Sequence, residues 1–86
     1  MILTVELELA REKVAPDSYR EVAICFDAEG LDRLIGKLQS LRARNDHVHL
    51  MTPSWAGDDL TEEKQGGPQY TLVNHLRLVR INGKRD

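Results

Sequence analysis

Three histidines are the residues of this chain whose spacing could form a metal site. His47 and His49 lie two apart in an alternating segment, so both rings are expected on one face of a strand, and His75 lies in a later strand-like segment. Such imidazoles could share a tetrahedral zinc ion. The pair is a weak signal without a Cys-x-x-Cys or His-Glu-x-x-His motif. We therefore predict no metal site and no cofactor, and expect the histidines to line a hydrogen-bonding surface.

Patterns of nucleophilic or acid–base catalysis are absent from the sequence. It contains no Gly-x-Ser-x-Gly motif and no glycine-rich phosphate loop. Cys25 lies in an apolar strand-like segment, where a small core residue is expected. The carboxylates of residues 58–63 lack the alternating spacing of an EF-hand loop. We predict no catalytic residues and a protein that is not an enzyme.

The single tryptophan lies in a long connection that also carries dense acidic charge. Residues 53–69 separate two strand-like segments, whereas hairpin loops usually have roughly two to five residues. Trp55 is followed there by Asp58, Asp59, Glu62 and Glu63. One interpretation is a solvated loop with Trp55 packed over the sheet edge. The other is a recognition loop, in which the indole anchors a basic partner and the acidic side chains steer it.

The apolar pattern that must position these residues begins with two strands and a helix. Residues 1–9 alternate, so that Leu3 and Val5 are expected in the core and Thr4 and Glu6 in water. A second strand, from about Tyr19 to Phe26, is expected to pair antiparallel with the first. Asp27 is the expected N-cap of a helix, which Asn45 would close, and Gly36 is expected to approach the sheet closely. The helix stripe comprises Leu31, Leu34, Ile35, Leu38 and Leu41.

Two further strands complete one predicted domain over residues 1–86. His47–Met51 is a strand with Val48 and Leu50 inward, and the last strand runs from about Tyr70 to Ile81 with apolar residues on both faces. The order β-β-α-β-β predicts an α+β two-layer sandwich, in which one amphipathic helix covers one face of a four-stranded, mostly antiparallel sheet. The other face would stay open. We therefore expect a homodimer that forms through the open face or an edge of the sheet.

Composition argues against nucleic-acid and membrane partners. Twelve basic residues stand against fourteen acidic ones, and the net charge of −2 lacks the basic footprint of a nucleic-acid-binding domain. The longest apolar run is far shorter than a membrane span requires. A single cysteine fits a reducing compartment, so a cytoplasmic location is expected.

Three segments resemble a known family. Residues 47–55 (HVHLMTPSW), 57–60 (GDDL) and 72–78 (LVNHLRL) are similar to the immunity protein 32 family, which comprises small bacterial proteins linked to polymorphic toxin systems. The resemblance covers roughly residues 28 to 80. It implies a one-domain α+β protein that binds and neutralises a cognate toxin without catalysis. The predicted partner-binding residues are Trp55, Asp58, Asp59, Glu62, Glu63, His47, His49, Asn74 and His75.

Overall fold

One helix and five strands make up the described part of the chain, residues 1–9, 19–43 and 46–81 of a computed structural model. In chain order they are β1 (Leu3–Leu9), β2 (Tyr19–Phe26), α1 (Ala28–Ser40), β3 (His47–Met51), a 3-10 turn (Pro53–Trp55), β4 (Tyr70–Val73) and β5 (His75–Val79). The predicted α+β class is confirmed. The loop predicted between the first two strands, and Asn45, lie outside the described residues.

The strands form two antiparallel sheets, so the prediction of one four-stranded sheet is wrong. The first sheet has the order β2-β1-β4, and the second pairs β3 with β5. The predicted β1–β2 hairpin is confirmed, with Leu3 opposite Phe26 and Leu7 opposite Val22. The segment from about Tyr70 to Ile81, which is predicted to be one last strand, is divided between β4 in the first sheet and β5 in the second.

The division of the last strand occurs at Asn74. The N–H of Thr52 donates to the carbonyl of Asn74 at 3.0 Å, and the Thr52 hydroxyl donates to Asn74 Oδ1 at 2.7 Å. Val73 packs against the core before this corner, and Leu76 and Leu78 pack against it afterwards. The inward side therefore shifts by one residue at Asn74. This shift explains why the segment carries apolar residues on both alternating positions.

The core joins the helix and both sheets. Leu3, Val5, Leu50 and Leu60 are between 0% and 2% exposed, and Leu60 comes from the long connection rather than from a regular element. The inward orientation predicted for Val48 and Leu50 is confirmed. The partly buried residues packed against this cluster are Leu34, Val48, Val73, Leu76 and Leu78.

The second face of β1 is buried, contrary to the expectation that it lies in water. Thr4 and Glu6 are both 0% exposed. The Glu6 carboxylate accepts hydrogen bonds from the N–H groups of Gln65 at 2.8 Å and Gly66 at 2.9 Å, and from the Thr4 hydroxyl at 2.7 Å. Burial by itself would raise the pKa of Glu6, but these hydrogen bonds and the charge of Lys64 outweigh it and lower the pKa. The long connection covers this face and supplies two of its donors.

Helix α1 begins at its predicted N-cap. The Asp27 side chain accepts a hydrogen bond from the N–H of Gly30 at 2.8 Å, as expected for a cap. The expectation for Gly36 is wrong, because no atom lies within 4 Å of the position its Cβ would take. The close approach occurs at Gly30, where a Cβ would stand 1.8 Å from the carbonyl oxygen of Ile2. Only glycine fits at this helix start.

The predicted apolar stripe of α1 is buried only in part. Leu41 is 6% exposed and Leu34 packs against the core, whereas Leu31, Ile35 and Leu38 are between 38% and 48% exposed. At the far end of the helix, the Arg80 guanidinium donates to the carbonyl of Leu41 at 2.8 Å, where a cation is favoured by the helix dipole. None of the described helices is long and apolar enough to cross a membrane.

Candidate partner-binding surface

The three histidines lie side by side on the outer face of the β3–β5 sheet. The ring centroids of His47 and His49 are 4.8 Å apart, and those of His49 and His75 are also 4.8 Å apart. His75 is opposite Met51 in the strand register, so it is a diagonal neighbour of His49. Val48 and Leu50 face inward. Because side chains alternate along a strand, His47 and His49 on β3 face outward. The rings form a continuous row across two strands.

The central pair of this row is linked by a hydrogen bond. His49 Nδ1 lies 2.6 Å from His75 Nε2, and one of these nitrogens donates a proton that the other accepts. Partial desolvation lowers the pKa of His49, and the charges of His47, His75 and Arg77 lower it further. His49 is therefore neutral at pH 7. The second ring nitrogen of each histidine, which this hydrogen bond does not use, can bond to a partner.

Trp55 extends the row of histidines. Its ring centroid lies 6.0 Å from that of His75, and 54% of the residue is exposed. This exposure argues against the interpretation in which Trp55 packs over the sheet edge. An exposed indole beside imidazoles combines a large apolar area with polar edges, a combination enriched at interface centres. We call Trp55, His47, His49 and His75 the Trp–His surface.

A tight turn holds Trp55 at the end of β3. The N–H groups of Trp55 and Gly57 both donate to the carbonyl of Thr52 at 2.9 Å, and Thr52 is fully buried. A Cβ at Gly57 would stand 2.5 Å from the carbonyl oxygen of Met51, so a side chain there would displace the backbone. The turn begins at Pro53, which ends β3 as predicted. The indole is thus carried by a fixed backbone.

Two of the predicted acidic residues make internal contacts. Asp59 Oδ1 lies 3.1 Å from an Arg33 guanidinium nitrogen and 3.2 Å from Lys37 Nζ, both on α1. Glu62 accepts a hydrogen bond from the N–H of Ser54 at 2.8 Å, and its hydrogen bonds with Ser54 lower its pKa. These carboxylates fasten the connection to the helix and to the turn that carries Trp55.

The remaining predicted residues divide between the surface and the interior. Asp58 and Glu63 are exposed. Asn74 is half-buried and occupies the corner between the sheets, where it holds Thr52. Two residues outside the predicted set, Met51 and Arg77, lie opposite His75 and His49 in the strand register. Met51 could have been found by continuing the outward alternation of β3 by one step, whereas Arg77 required the register.

The central pair of the histidine row is spaced for a hydrogen bond rather than for two ligands of one metal ion. Within residues 1–9, 19–43 and 46–81, no group of three or more His, Cys, Asp or Glu side chains is placed to hold a metal ion. Two nitrogens bound to one tetrahedral zinc would lie about 3.3 Å apart. The facing nitrogens of His49 and His75 lie 2.6 Å apart, a hydrogen-bonding distance.

Comparison with known proteins identifies the family. The immunity protein 32 family model matches residues 21–76, nearly two thirds of the chain, from β2 to the beginning of β5. The match contains every residue of the Trp–His surface and leaves out β1. No curated protein and no solved structure matches the chain. The chain belongs to the immunity protein 32 family.

Proposed function

We propose that this protein binds and neutralises a cognate bacterial toxin through the Trp–His surface, without catalysis. Membership of the immunity protein 32 family supports the role. The observation that carries the choice of surface is the 54% exposure of Trp55, whose ring lies 6.0 Å from that of His75. A half-exposed indole adds less to the stability of the fold than a buried one, whereas a binding surface uses its exposed area as an anchor.

The chemistry of the surface indicates the kind of partner. Trp55 offers apolar area for a pocket on the toxin, and the hydrogen-bonded His49–His75 pair offers polar ring nitrogens beside it. Asp58 and Glu63 are exposed on the adjoining connection and would accelerate the approach of a basic toxin. Glu62 adds to the same negative field, whereas Arg33 and Lys37 offset the charge of Asp59.

An alternative is a small metal- or ligand-binding protein that uses the same histidines. The row of rings with 4.8 Å centroid spacings is the observation that favours it. The two functions differ in what the purified protein takes up. A zinc titration followed through the Trp55 fluorescence tests the alternative directly, since the indole lies 6.0 Å from His75.

Co-expression tests the proposed neutralisation. The candidate toxin is the polypeptide encoded by the neighbouring gene, expressed in the cytoplasm together with this protein. We expect cells to grow when both are present and to die when the toxin is expressed alone. An unrelated toxin of similar potency serves as the control, and we expect no protection against it. Equal growth arrest with and without this protein would contradict the proposal.

A further inference from the structure

Strand β2 presents an open edge. It is the outer strand of the β2-β1-β4 sheet, and no strand in the described part of the chain pairs with its outer side. The N–H of Asp27 donates to the carbonyl of Ile2 at 3.1 Å, in the direction of β1. Because these directions alternate along an antiparallel strand, the backbone groups of Val22, Ile24 and Phe26 point away from β1. Three residues therefore offer hydrogen-bonding backbone to a further strand.

The side chains along this edge are apolar and exposed. Val22 is 62% exposed, Ile24 38% and Phe26 46%. They are paired with Leu7, Val5 and Leu3, whose side of the sheet carries the core. Soluble proteins usually protect an open edge with lysine, proline or a bulge, and β2 has such an irregularity at its beginning, where Arg20 is the extra residue opposite Glu8 and Leu9. Residues 22–26, Val-Ala-Ile-Cys-Phe, contain no charged residue, proline or glycine.

Helix α1 extends this apolar area. Arg33 and Lys37 lie on the flank of the helix that faces Asp59. Leu31 and Ile35 lie on the opposite flank at 100° per residue, and they are 38% and 40% exposed. The flank of α1 that contacts Asp59 lies on the β4 side of β1. Thr61, two residues after Asp59, donates its N–H to the carbonyl of Leu3 on that side at 2.7 Å. Leu31 and Ile35 therefore face the β2 side.

We propose that β2 pairs antiparallel with β2 of a second copy of this chain, about a two-fold axis at Ala23. Both β1–β2–β4 sheets would then join into one continuous sheet. In this register Val22 lies opposite Ile24 of the second copy, and Ile24 lies opposite Val22 of the second copy. All of these residues have outward-pointing backbone groups, so each pair exchanges two hydrogen bonds. The same pairing covers the exposed side chains of both edges.

Charge along the edge favours this pairing of identical strands. Arg20 lies at one end of β2, and Asp27 and Glu29 follow the other end. Antiparallel pairing brings Arg20 of each copy towards Asp27 and Glu29 of the other, although these carboxylates also lie 3.8 Å and 3.5 Å from the N-terminal ammonium of their own chain. An axis at Ile24 would instead set Glu21 opposite Asp27, a destabilising pair of like charges. The axis at Ala23 avoids that contact.

The proposed dimer is independent of toxin binding. It uses the edge of one sheet, whereas the Trp–His surface lies on the outer face of the other sheet. The dimer would therefore present two copies of the Trp–His surface. If the proposed function failed, the dimer could still form, and the reverse also holds.

Light scattering on the purified chain at high micromolar concentration tests the dimer. We expect twice the 9.8 kDa mass of one chain. Val22→Lys should raise the dimer dissociation constant by roughly tenfold or more, because it places a charge opposite Ile24 of the second copy. Val79→Lys is the matched control, since Val79 is 44% exposed on β5, and it should leave the dimer intact. Circular dichroism checks that both variants fold.

Cysteine cross-linking tests the register. In an antiparallel pair without direct hydrogen bonds, Cα atoms lie about 4.5 Å apart, within disulfide range. Ala23→Cys in a Cys25→Ser background should therefore form a cross-chain disulfide in oxidised glutathione. Thr71→Cys on β4 in the same background should not. A monomeric wild-type chain would overturn the proposal, as would a dimer that survives Val22→Lys or a folded Ala23→Cys variant that forms no disulfide.

Discussion

His49 Nδ1 lies 2.6 Å from His75 Nε2 across the β3–β5 pair. One proton between these two nitrogens makes a hydrogen bond, whereas a proton on each would make them repel. The pair therefore links the protonation of the Trp–His surface to its geometry.

Acidification is expected to destabilise the protein through His49. Its pKa is lowered in the folded state from an ordinary value of 6.5, so the unfolded chain binds the proton more readily. The stability present above pH 6.5 is then lost as the pH falls through the lowered pKa. Melting temperatures at about pH 7.5 and about pH 5.5 should show this decrease. His49→Gln should reduce it, and an equal decrease in that variant would contradict the assignment to His49.

Glu6→Gln is expected to lower the free energy of unfolding by roughly 1–3 kcal/mol. The carboxylate accepts from Gln65, Gly66 and Thr4, and an amide would turn an N–H₂ donor towards one of these donors. Because the folded-state pKa of Glu6 is lowered, its contribution is present above the ordinary value of 4.5 and is lost as the pH falls through the lowered pKa. Urea unfolding at neutral pH measures the difference. Glu8→Gln on the same strand is the control, and an equal effect there would argue against this account.

The corner between the sheets is expected to depend on the Asn74 side chain. Asn74→Ala leaves the buried Thr52 hydroxyl without its acceptor at 2.7 Å, which should destabilise the fold by about 1–2 kcal/mol. Thr52→Val should remove the same hydrogen bond. The double variant should therefore lose less stability than the two single losses added together, as measured by chemical unfolding. Strict additivity would show that the two side chains are not coupled.

Purified protein is expected to hold no stoichiometric zinc. The facing nitrogens of His49 and His75 are closer than two ligands of one tetrahedral zinc, and the described residues provide no group of three metal-binding side chains. Elemental analysis after dialysis checks this expectation. One zinc per chain, lost in His49→Ala, would contradict it and favour the metal-binding alternative.

The parts of the fold that follow from local periodicity could be predicted from the sequence. Alternation gave β1, β2 and β3, and the Asp27 cap gave the start of α1. Glu6 could not be placed, because its backbone donors lie about sixty residues away along the chain. The corner at Asn74 depends on Thr52, which alternation within one segment does not reveal.

The candidate site shows the same limit. His47, His49 and Trp55 are close in sequence, so their grouping could be expected, and His75 joins them through the register of β5 with β3. Asp59 is predicted to steer a partner, and long-range packing also brings it to Arg33 and Lys37 on α1, which the sequence does not reveal. Charge patterns alone do not distinguish an outward acidic rim from an internal ion pair.

The most direct test of the central claim measures the affinity of Trp55→Ala for the toxin encoded by the neighbouring gene, by titration calorimetry. Leu38→Ala is the matched control, because Leu38 is 48% exposed and lies on α1, away from the Trp–His surface. We predict that Trp55→Ala keeps its melting temperature and loses about 2 kcal/mol or more of binding free energy, roughly thirtyfold in affinity, while Leu38→Ala binds like the wild type. Unchanged toxin affinity in a folded Trp55→Ala protein would contradict the account.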